Sequence, residues 1–501
     1  MPKYSELLRE DLIEFRKYQE DIALKAVENN TLVVIPTALG KTIIAIIALS
    51  ILIKDGGKCI FLAPTRPLVH QHATNIRKLL NLPESEIAEV TGEIKKSVRR
   101  DIYNSARVIV STPQVIDNDS PLFQDMKDEV KVVIFDEAHR AIGNYSYVEV
   151  ANFFSNSRII ATTASPGGDR EKIDQIIKNL RIADLEIRDE NSPDVVGYIK
   201  GIEIEQVKIP IPPGVAEIIG LLKEMLDEMI KKLESFSLKV QGHSRKELIG
   251  LGDYIFSQIK SGNKYYYSAA RIRTYAILID YLLEFAETQG VLPFYEYLEE
   301  MKKENGKAKH IVNDSRILLI EKKAEKLSEM ELSLHTPKMS KIIEILKERG
   351  NEKSIVFCHY RITANILSDI LKQEGFSCEK FIGQSSRKDA KGMSQKEQTS
   401  TLQLFREGAI KILIATQVGE EGLDVPAADT VIFYEPVASE VRSIQRRGRT
   451  GRFGKGKVYV LTMENTRDFS YYYSAGRKEN KMKNILKDGN KKVQTTFDSF
   501  Q

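Results

Sequence analysis

The segment Pro36-Thr37-Ala38-Leu39-Gly40-Lys41-Thr42 follows a short branched apolar run and opens an apolar helical stretch. A strand–loop–helix ending in Gly-Lys-Thr turns backbone N–H groups and a helix N-terminus toward anionic oxygens. Lys41 would supply a point charge to the β- and γ-phosphates of ATP, and Thr42 a hydroxyl to Mg²⁺. Thr37, Ala38, Leu39, Gly40, Lys41 and Thr42 are therefore the candidate nucleotide cradle. Ala38 stands where such loops usually carry glycine, and alanine enters φ > 0 poorly, so weaker nucleotide affinity or turnover is expected. A second constellation, Asp136-Glu137-Ala138-His139, directly follows the apolar run 132–135. At the carboxyl end of a buried strand, Asp136 would hold Mg²⁺ through its water shell and Glu137 would polarise the attacking water. The tetrapeptide alone also reads as a surface turn with incidental acids. That reading loses ground once a phosphate loop precedes it on a separate strand.

These residues need strands to hold them. Runs 31–35, 59–63, 108–111, 132–135 and 158–162 are continuous, branched and apolar, the pattern of strands buried on both faces of a parallel sheet. They alternate with amphipathic stretches, which predicts a doubly wound α/β domain. A second series, 354–357, 377–381, 411–415, 430–434 and 457–461, predicts another. Between them, from about 214 to 331, helical spacing takes over. Ile218, Leu222, Met225 and Met229 share one face, as do Ile277, Tyr281 and Phe285, and Pro210, Pro212 and Pro213 punctuate the entry. The fold expected is α/β, with two parallel-sheet domains and an all-helical insertion. The units expected are 1–205, 206–335 and 336–480, with a basic tail at 481–501.

Composition agrees with several domains in one soluble chain. The 501 residues are 42% hydrophobic and 29% charged, with a net charge of +4, so any basic surface is local. No apolar run reaches membrane-spanning length, and no secretory leader is visible at the start. Three cysteines without a CxxC pair argue against a disulfide framework or a zinc site. An intracellular, cytoplasmic location is expected, nucleoid-associated if the source is archaeal.

From Leu12 to Tyr473 the chain resembles superfamily-2 helicases motif by motif, which implies two RecA-like domains. Phe15-Arg16-Lys17-Tyr18-Gln19 resembles the adenine-reading segment, implying Arg16 and Gln19 as nucleotide contacts. Pro64-Thr65-Arg66-Pro67-Leu68 and Ser111-Thr112-Pro113-Gln114 resemble the loops that grip a nucleic-acid backbone, and Thr163-Ala164-Ser165 the motif coupling hydrolysis to domain motion through Thr163 and Ser165. Phe357-Cys358-His359-Tyr360 resembles the fourth motif. The segment from Ala415 and Thr416 through Gly422 and Asp424 resembles the fifth, implying Thr416 on the nucleic acid and Gly422 and Asp424 on the nucleotide. Gln445-Arg446-Arg447-Gly448-Arg449-Thr450-Gly451-Arg452 resembles the sixth, implying catalytic Gln445, Arg449 and Arg452 reaching across a cleft. An arginine so placed contributes ~10³–10⁵ in phosphoryl-transfer rate, and supplying it from a second domain makes catalysis wait on closure. The plain reading of the run is a solvated basic face. Hydroxyl-rich loops at Thr65, Thr112 and Thr416, with Arg66, suit phosphate and sugar contacts that do not read sequence.

The helical insertion, the re-entry His335-Thr336-Pro337-Lys338-Met339 and the motif variants resemble most closely the Hef family of archaeal helicase/fork-structure nucleases and the Fanconi anaemia M-type translocases. That resemblance implies ATP-driven DNA helicase or translocase activity on forked or branched DNA, with ATP and Mg²⁺ as cofactors. No Glu-Arg-Lys-type nuclease signature is visible, so the chain reads as the helicase half alone. Two other readings stay open: an RNA-dependent ATPase with the same motifs, and a weakly active junction-binding scaffold, which only Ala38 favours. Within the insertion, Lys264, Arg271 and Arg273 with Tyr265, Tyr266 and Tyr267 suit a DNA branch. The competing reading packs the tyrosines into the core. Finally, Gln494-Thr495-Thr496-Phe497-Asp498-Ser499-Phe500-Gln501 resembles a sliding-clamp (PCNA) box, against the plainer reading of a tail with scattered aromatics.

Overall fold

The computed structural model describes residues 4–36, 39–189, 192–198, 201–240, 245–303, 314–334, 336–383, 392–416, 426–437, 439 and 456–498, with backbone only at 331–334, 395 and 486–498. Two parallel sheets flank a helical bundle, the expected fold class.

The first sheet has seven strands: β1 Thr31–Val34, β2 Lys58–Leu62, β3 Ile87–Val90, β4 Val108–Ser111, β5 Val130–Asp136, β6 Arg158–Thr163 and β7 Asp184–Ile187, in the order β3-β4-β2-β5-β6-β1-β7. The interior strands β1, β2 and β4 are buried at every position, as continuous apolar runs require. Helices α1 (Lys17–Glu28), α2 (Lys41–Leu52) and α3 (Arg66–Leu79) cover one face, packing Ile22, Ile46, Val69 and Ile76 into its core. Strands β3 and β7 lie at the two sheet edges and carry polar residues, which is why apolar runs do not reveal them.

The boundary expected at 205/206 falls inside another strand, β8 (Ile202–Ile209), and that strand belongs to the second sheet. It reads Ile-Glu-Ile-Glu-Gln-Val-Lys-Ile, half polar, because it forms an exposed sheet edge. The chain then turns through Pro210, Pro212 and Pro213 into α4 (Pro213–Glu234), α5 (Arg245–Lys260), α6 (Tyr266–Thr288), α7 (Val291–Lys303) and α8 (Ser315–Leu334). Ile218, Leu222, Met225 and Met229 of α4 and Phe285 of α6 meet in the bundle core, while Ile277 and Tyr281 are half-buried around it.

Helix α9 (Pro337–Arg349), capped by the Thr336 hydroxyl, leads into β9 (Ser354–Phe357), β10 (Cys378–Phe381), β11 (Ile412–Ala415), β12 (Thr430–Phe433) and β13 (Gly456–Met463). The second sheet runs β10-β11-β9-β12-β13-β8, with β8 pairing parallel to β13 along its whole length.

The expected tail at 481–501 is not separate. Residues 467–498 contain no proline and form one helix, α10 (Arg467–Asp498), which leaves the second sheet and crosses to the first. There Met482 enters the core beside Ile173 and Leu185, with Ile485 partly buried against it. Lys478 lies so close to Gly168 that a Cβ on that glycine would stand 2.7 Å from its carbonyl oxygen. The candidate clamp peptide lies outside the described side chains, and its last three residues outside the described backbone.

The insertion is rooted in the second sheet by Lys338. This lysine is 2% exposed, and its Nζ donates to Thr288 O at 2.7 Å, Tyr434 O at 2.8 Å and Asp468 Oδ2 at 2.6 Å. Tyr434 donates to Gln289 O at 2.6 Å, and the Thr363 hydroxyl to Gln289 Oε1 at 2.8 Å. Arg467 of α10 pairs with buried Asp280 and Glu287 of α6. A buried polar group needs its partners, and here the partners tie the bundle, α9, β12 and α10 into one joint.

Candidate functional site

Strand β1 delivers the chain to the phosphate-loop position, and Gly40 closes the turn into α2 at φ +75°, left-handed backbone that glycine enters without strain. A Cβ at Gly40 would collide with the Gln19 amide, so the loop and α1 are in contact here. Gln19 is buried and donates from Nε2 to Leu39 O at 3.0 Å, while its Oε1 is buried without a hydrogen-bond partner among the described residues. An orphaned acceptor beside the loop fits the expected adenine reader, whose partner would be an exocyclic amine. Tyr18 also donates to Leu39 O, at 2.8 Å. The Arg16 guanidinium lies over the Tyr198 ring, 5.1 Å from its centroid. Lys41 is 8% exposed, with Nζ 3.4 Å from Ile35 O, and Thr42 beside it is half-buried. Thr37 and Ala38 lie outside the described residues.

Asp136 ends β5 with both carboxylate oxygens engaged. Thr162 of β6 donates to Oδ1 at 2.8 Å, and His72 of α3 lies 2.9 Å from Oδ2. Burial pushes this carboxyl up. The His72 imidazole, the Lys41 ammonium and the Thr162 hydroxyl outweigh that and hold it at about 2, so it is ionised at neutral pH. Tyr147 supports the same turn by donating to Asp136 O at 2.5 Å.

Glu137 follows at φ 51°, ψ 50°, a left-handed conformation that costs a non-glycine residue roughly 1–2 kcal/mol. The surroundings hold it there. His139 Nδ1 approaches Glu137 Oε2 to 3.3 Å and Thr163 Oγ1 to 3.2 Å, the first without hydrogen-bond geometry. The Thr163 hydroxyl donates to Ser165 O at 3.0 Å, and the Ser165 hydroxyl to Met482 Sδ at 2.9 Å. From Glu137, in contact with His139, a hydrogen-bonded path thus runs through His139, Thr163 and Ser165 into α10, a helix that begins in the second domain.

Among the described residues no three His, Cys, Asp or Glu side chains are placed to hold a metal together. One carboxylate and one hydroxyl suit Mg²⁺, which keeps several waters and takes further oxygens from nucleotide phosphates. Asp136 and Thr42 fit that role.

The backbone-gripping candidates sit just beyond the carboxyl ends of their strands. Thr65 and Thr112 are N-caps of the helices following β2 and β4, which are adjacent strands. Thr65 Oγ1 is buried without a partner among the described residues, and Arg66 meets Glu93 at 2.7 Å on the surface. Thr416 follows β11 in the second sheet and is buried. In the insertion, Lys264 and Arg271 are exposed. Tyr265 and Tyr267 are each 58% exposed, and Tyr266 is half-buried against Phe236 and Tyr254. Arg273 departs from expectation: its Nε donates to Leu248 O at 2.5 Å and its Nη2 to Ile249 O at 2.8 Å, so it joins α5 to α6. Gly422, Asp424, Gln445, Arg449 and Arg452 lie outside the described residues. The residues that sequence reasoning missed are His72, Thr162, Tyr147 and Met482. Each is buried at ordinary helix or strand spacing and reads as core.

Two parallel sheets, a candidate phosphate loop on the first, an adjacent Asp-Glu pair and a bundle rooted in the second define a helicase-type ATPase core. Family models agree: DEAD/DEAH box helicase over 16–173, helicase conserved C-terminal domain over 337–454, and between them, at 215–332, the helical bundle of a provisionally named ATP-dependent RNA helicase family. The chain is 38% identical to the Hef helicase domain of Pyrococcus furiosus, with a TM-score of 0.69 over 93% of this chain and 99% of that one. It is 37% identical over 96% of its length to a Methanocaldococcus jannaschii protein provisionally named an ATP-dependent RNA helicase, and 33% identical over 90% to the ATP-dependent DNA helicase mph1 of Neurospora crassa. It spans 62% and 41% of those two proteins, less than two thirds of either. The chain belongs to the Hef/FANCM-type helicases of superfamily 2. No helix among its described residues is long and apolar enough to cross a membrane.

Proposed function

We propose that this chain is an ATP-dependent, Mg²⁺-requiring DNA helicase or translocase that acts inside the cell on forked or branched DNA. The observation that carries it is the path from Glu137 through His139, Thr163 and Ser165 to Met482. It joins the candidate hydrolytic carboxylate to a helix anchored in the other domain. Lys41 holds the terminal phosphates, Glu137 orients the attacking water, and Asp136 and Thr42 hold Mg²⁺, which neutralises phosphate charge when bound. Arg449 and Arg452 complete the site from the second domain, and Gln445 supports them. A strand gripped by Thr65, Arg66 and Thr112 on one sheet and Thr416 on the other is moved as the sheets close and open.

Fork preference is assigned to the insertion, where exposed Lys264 and Arg271 lie beside exposed Tyr265 and Tyr267. Phosphate charge and base stacking together suit a branch point, where bases are unpaired. The RNA-dependent reading is supported by names: that of the M. jannaschii relative and that of the helical-bundle family matched at 215–332. ATP turnover measured with forked DNA, single-stranded DNA and duplex RNA decides. Strongest stimulation by forks is expected, and stimulation by duplex RNA alone would overturn the DNA reading. The peptide Gln494-Thr495-Thr496-Phe497-Asp498-Ser499-Phe500-Gln501 is a candidate for binding a sliding clamp, and titrating it against the clamp checks this.

A further inference from the structure

We propose that His72 is a positioning residue for Asp136, fixing the magnesium-site carboxylate from the helix that follows the 64–68 loop. The proposal rests on the reading of Asp136 as the residue that holds Mg²⁺.

His72 is 3% exposed on the inner face of α3, and its ring packs on Phe61 with centroids 4.5 Å apart. Its Nε2 lies 2.9 Å from Asp136 Oδ2, while its Nδ1 is buried and has no hydrogen-bond partner among the described residues. The polar function of this imidazole is therefore directed at Asp136. With Thr162 donating to Oδ1, the two donors flank the carboxylate and fix its rotation. Each oxygen keeps a lone pair for metal-bound water. Removing His72 would leave one oxygen of a buried carboxylate without a donor, an arrangement that reorganises or admits water.

Placement adds a consequence. His72 lies six residues beyond Arg66 on one continuous helix, ~9 Å along its axis. Asp136 is thus held by the helix whose N-terminus carries Thr65 and Arg66. A shift of that helix on gripping nucleic acid would move a group bonded to the metal-site carboxylate.

The test compares His72→Phe, which keeps ring packing without the donor, with His72→Gln, which keeps an N–H donor without the ring. Binding of a fluorescent ATP analogue is titrated with Mg²⁺ and repeated in EDTA. Groups bonded to metal ligands typically alter metal affinity ~10–100-fold, so His72→Phe should raise the Mg²⁺ midpoint by that factor. His72→Gln should stay near the parent, and affinity in EDTA should be unchanged in both. In an Asp136→Asn background His72→Phe should add nothing. Melting curves identify folded variants, and His72→Ala replaces His72→Phe if the latter does not fold. A parental midpoint in His72→Phe, equal shifts in Phe and Gln, or a further shift in the Asp136→Asn background would overturn the proposal. A parent whose nucleotide binding ignores Mg²⁺ would instead overturn the reading of Asp136 on which it rests.

Discussion

The two sheets are the same scaffold used twice, and the difference between them lies in what joins one strand to a lysine-bearing helix. Six strands of the first, β3-β4-β2-β5-β6-β1, correspond in order to β10-β11-β9-β12-β13-β8 of the second. By that correspondence β8 stands where β1 stands, and β12 where β5 does. Strand β1 feeds a phosphate loop and then Lys41 at the start of α2; β8 feeds three prolines and the whole bundle before Lys338 at the start of α9. Strand β5 runs into Asp136-Glu137, and β12 into Tyr434-Glu435. In the second sheet the lysine is held by two backbone carbonyls and Asp468. A position proposed to bind phosphate in one domain is the root of an insertion in the other. Topology alone does not make a nucleotide site; the loop between strand and helix does.

The comparison breaks most visibly if the second sheet contributes nothing to hydrolysis. Arg449→Ala and Arg452→Ala should each lower turnover by ~10³ or more, with melting and DNA affinity near those of the parent. Normal turnover in both would leave the second domain as a clamp without a catalytic part.

The paired lysines come next. Lys41→Ala should abolish phosphate binding and reduce turnover by at least ~10² while leaving stability little changed, and Glu137→Gln should bind ATP but hydrolyse it very slowly. Lys338→Ala should do the reverse. Removing one partner of a buried ion pair costs roughly 3–5 kcal/mol, read as a lower denaturation midpoint. Nucleotide binding by the first sheet should survive wherever the variant is folded. If Lys338→Ala melts like the parent, the buried joint is not what roots the bundle.

How much of this could be read from the sequence follows from where each residue sits. Interior strands such as β1, β4 and β12 are buried at every position and apolar at three of four, so they announce themselves. Strand β8 does not, since an edge strand can be half polar and its partner β13 lies some 250 residues further along the chain. The phosphate loop and Asp136-Glu137 were legible because phosphate and metal chemistry restricts both residue type and spacing. His72 and Met482 were not, because a buried histidine or methionine at helical spacing looks like packing until the partner strand is in place.

A smaller effect separates the basic residues of the bundle. Lys264 and Arg271 are exposed, whereas Arg273 is bonded to the carbonyls of Leu248 and Ile249. Replacing Lys264 and Arg271 by Ala should weaken fork binding and flatten its salt dependence by ~0.9 in log–log slope for each lost phosphate contact. Binding of a plain single strand should barely move. Arg273→Ala should lower stability and keep the parental salt slope. Anisotropy on fork and single strand at several salt concentrations checks both. Equal slopes in the double variant would return the exposed tyrosines and lysine to the status of ordinary surface.

The smallest expected effect concerns the loop that distinguishes the sheets. Gly40 takes left-handed backbone where the loop meets α2, and Ala38, two residues earlier, stands where glycine is usual in such loops. An L-residue in that conformation costs roughly 1–2 kcal/mol, so relief by Ala38→Gly is worth ~fivefold or somewhat more in nucleotide affinity or turnover. An opposing term exists, since glycine loosens the unbound loop by up to ~1 kcal/mol and would offset part of the gain. The net sign therefore depends on whether phosphate binding demands φ > 0 at this position. A titration of ATP binding with parent and Ala38→Gly settles it. Tighter binding means the loop works under strain, while equal or weaker binding means alanine is accommodated and the first sheet's cradle is already complete.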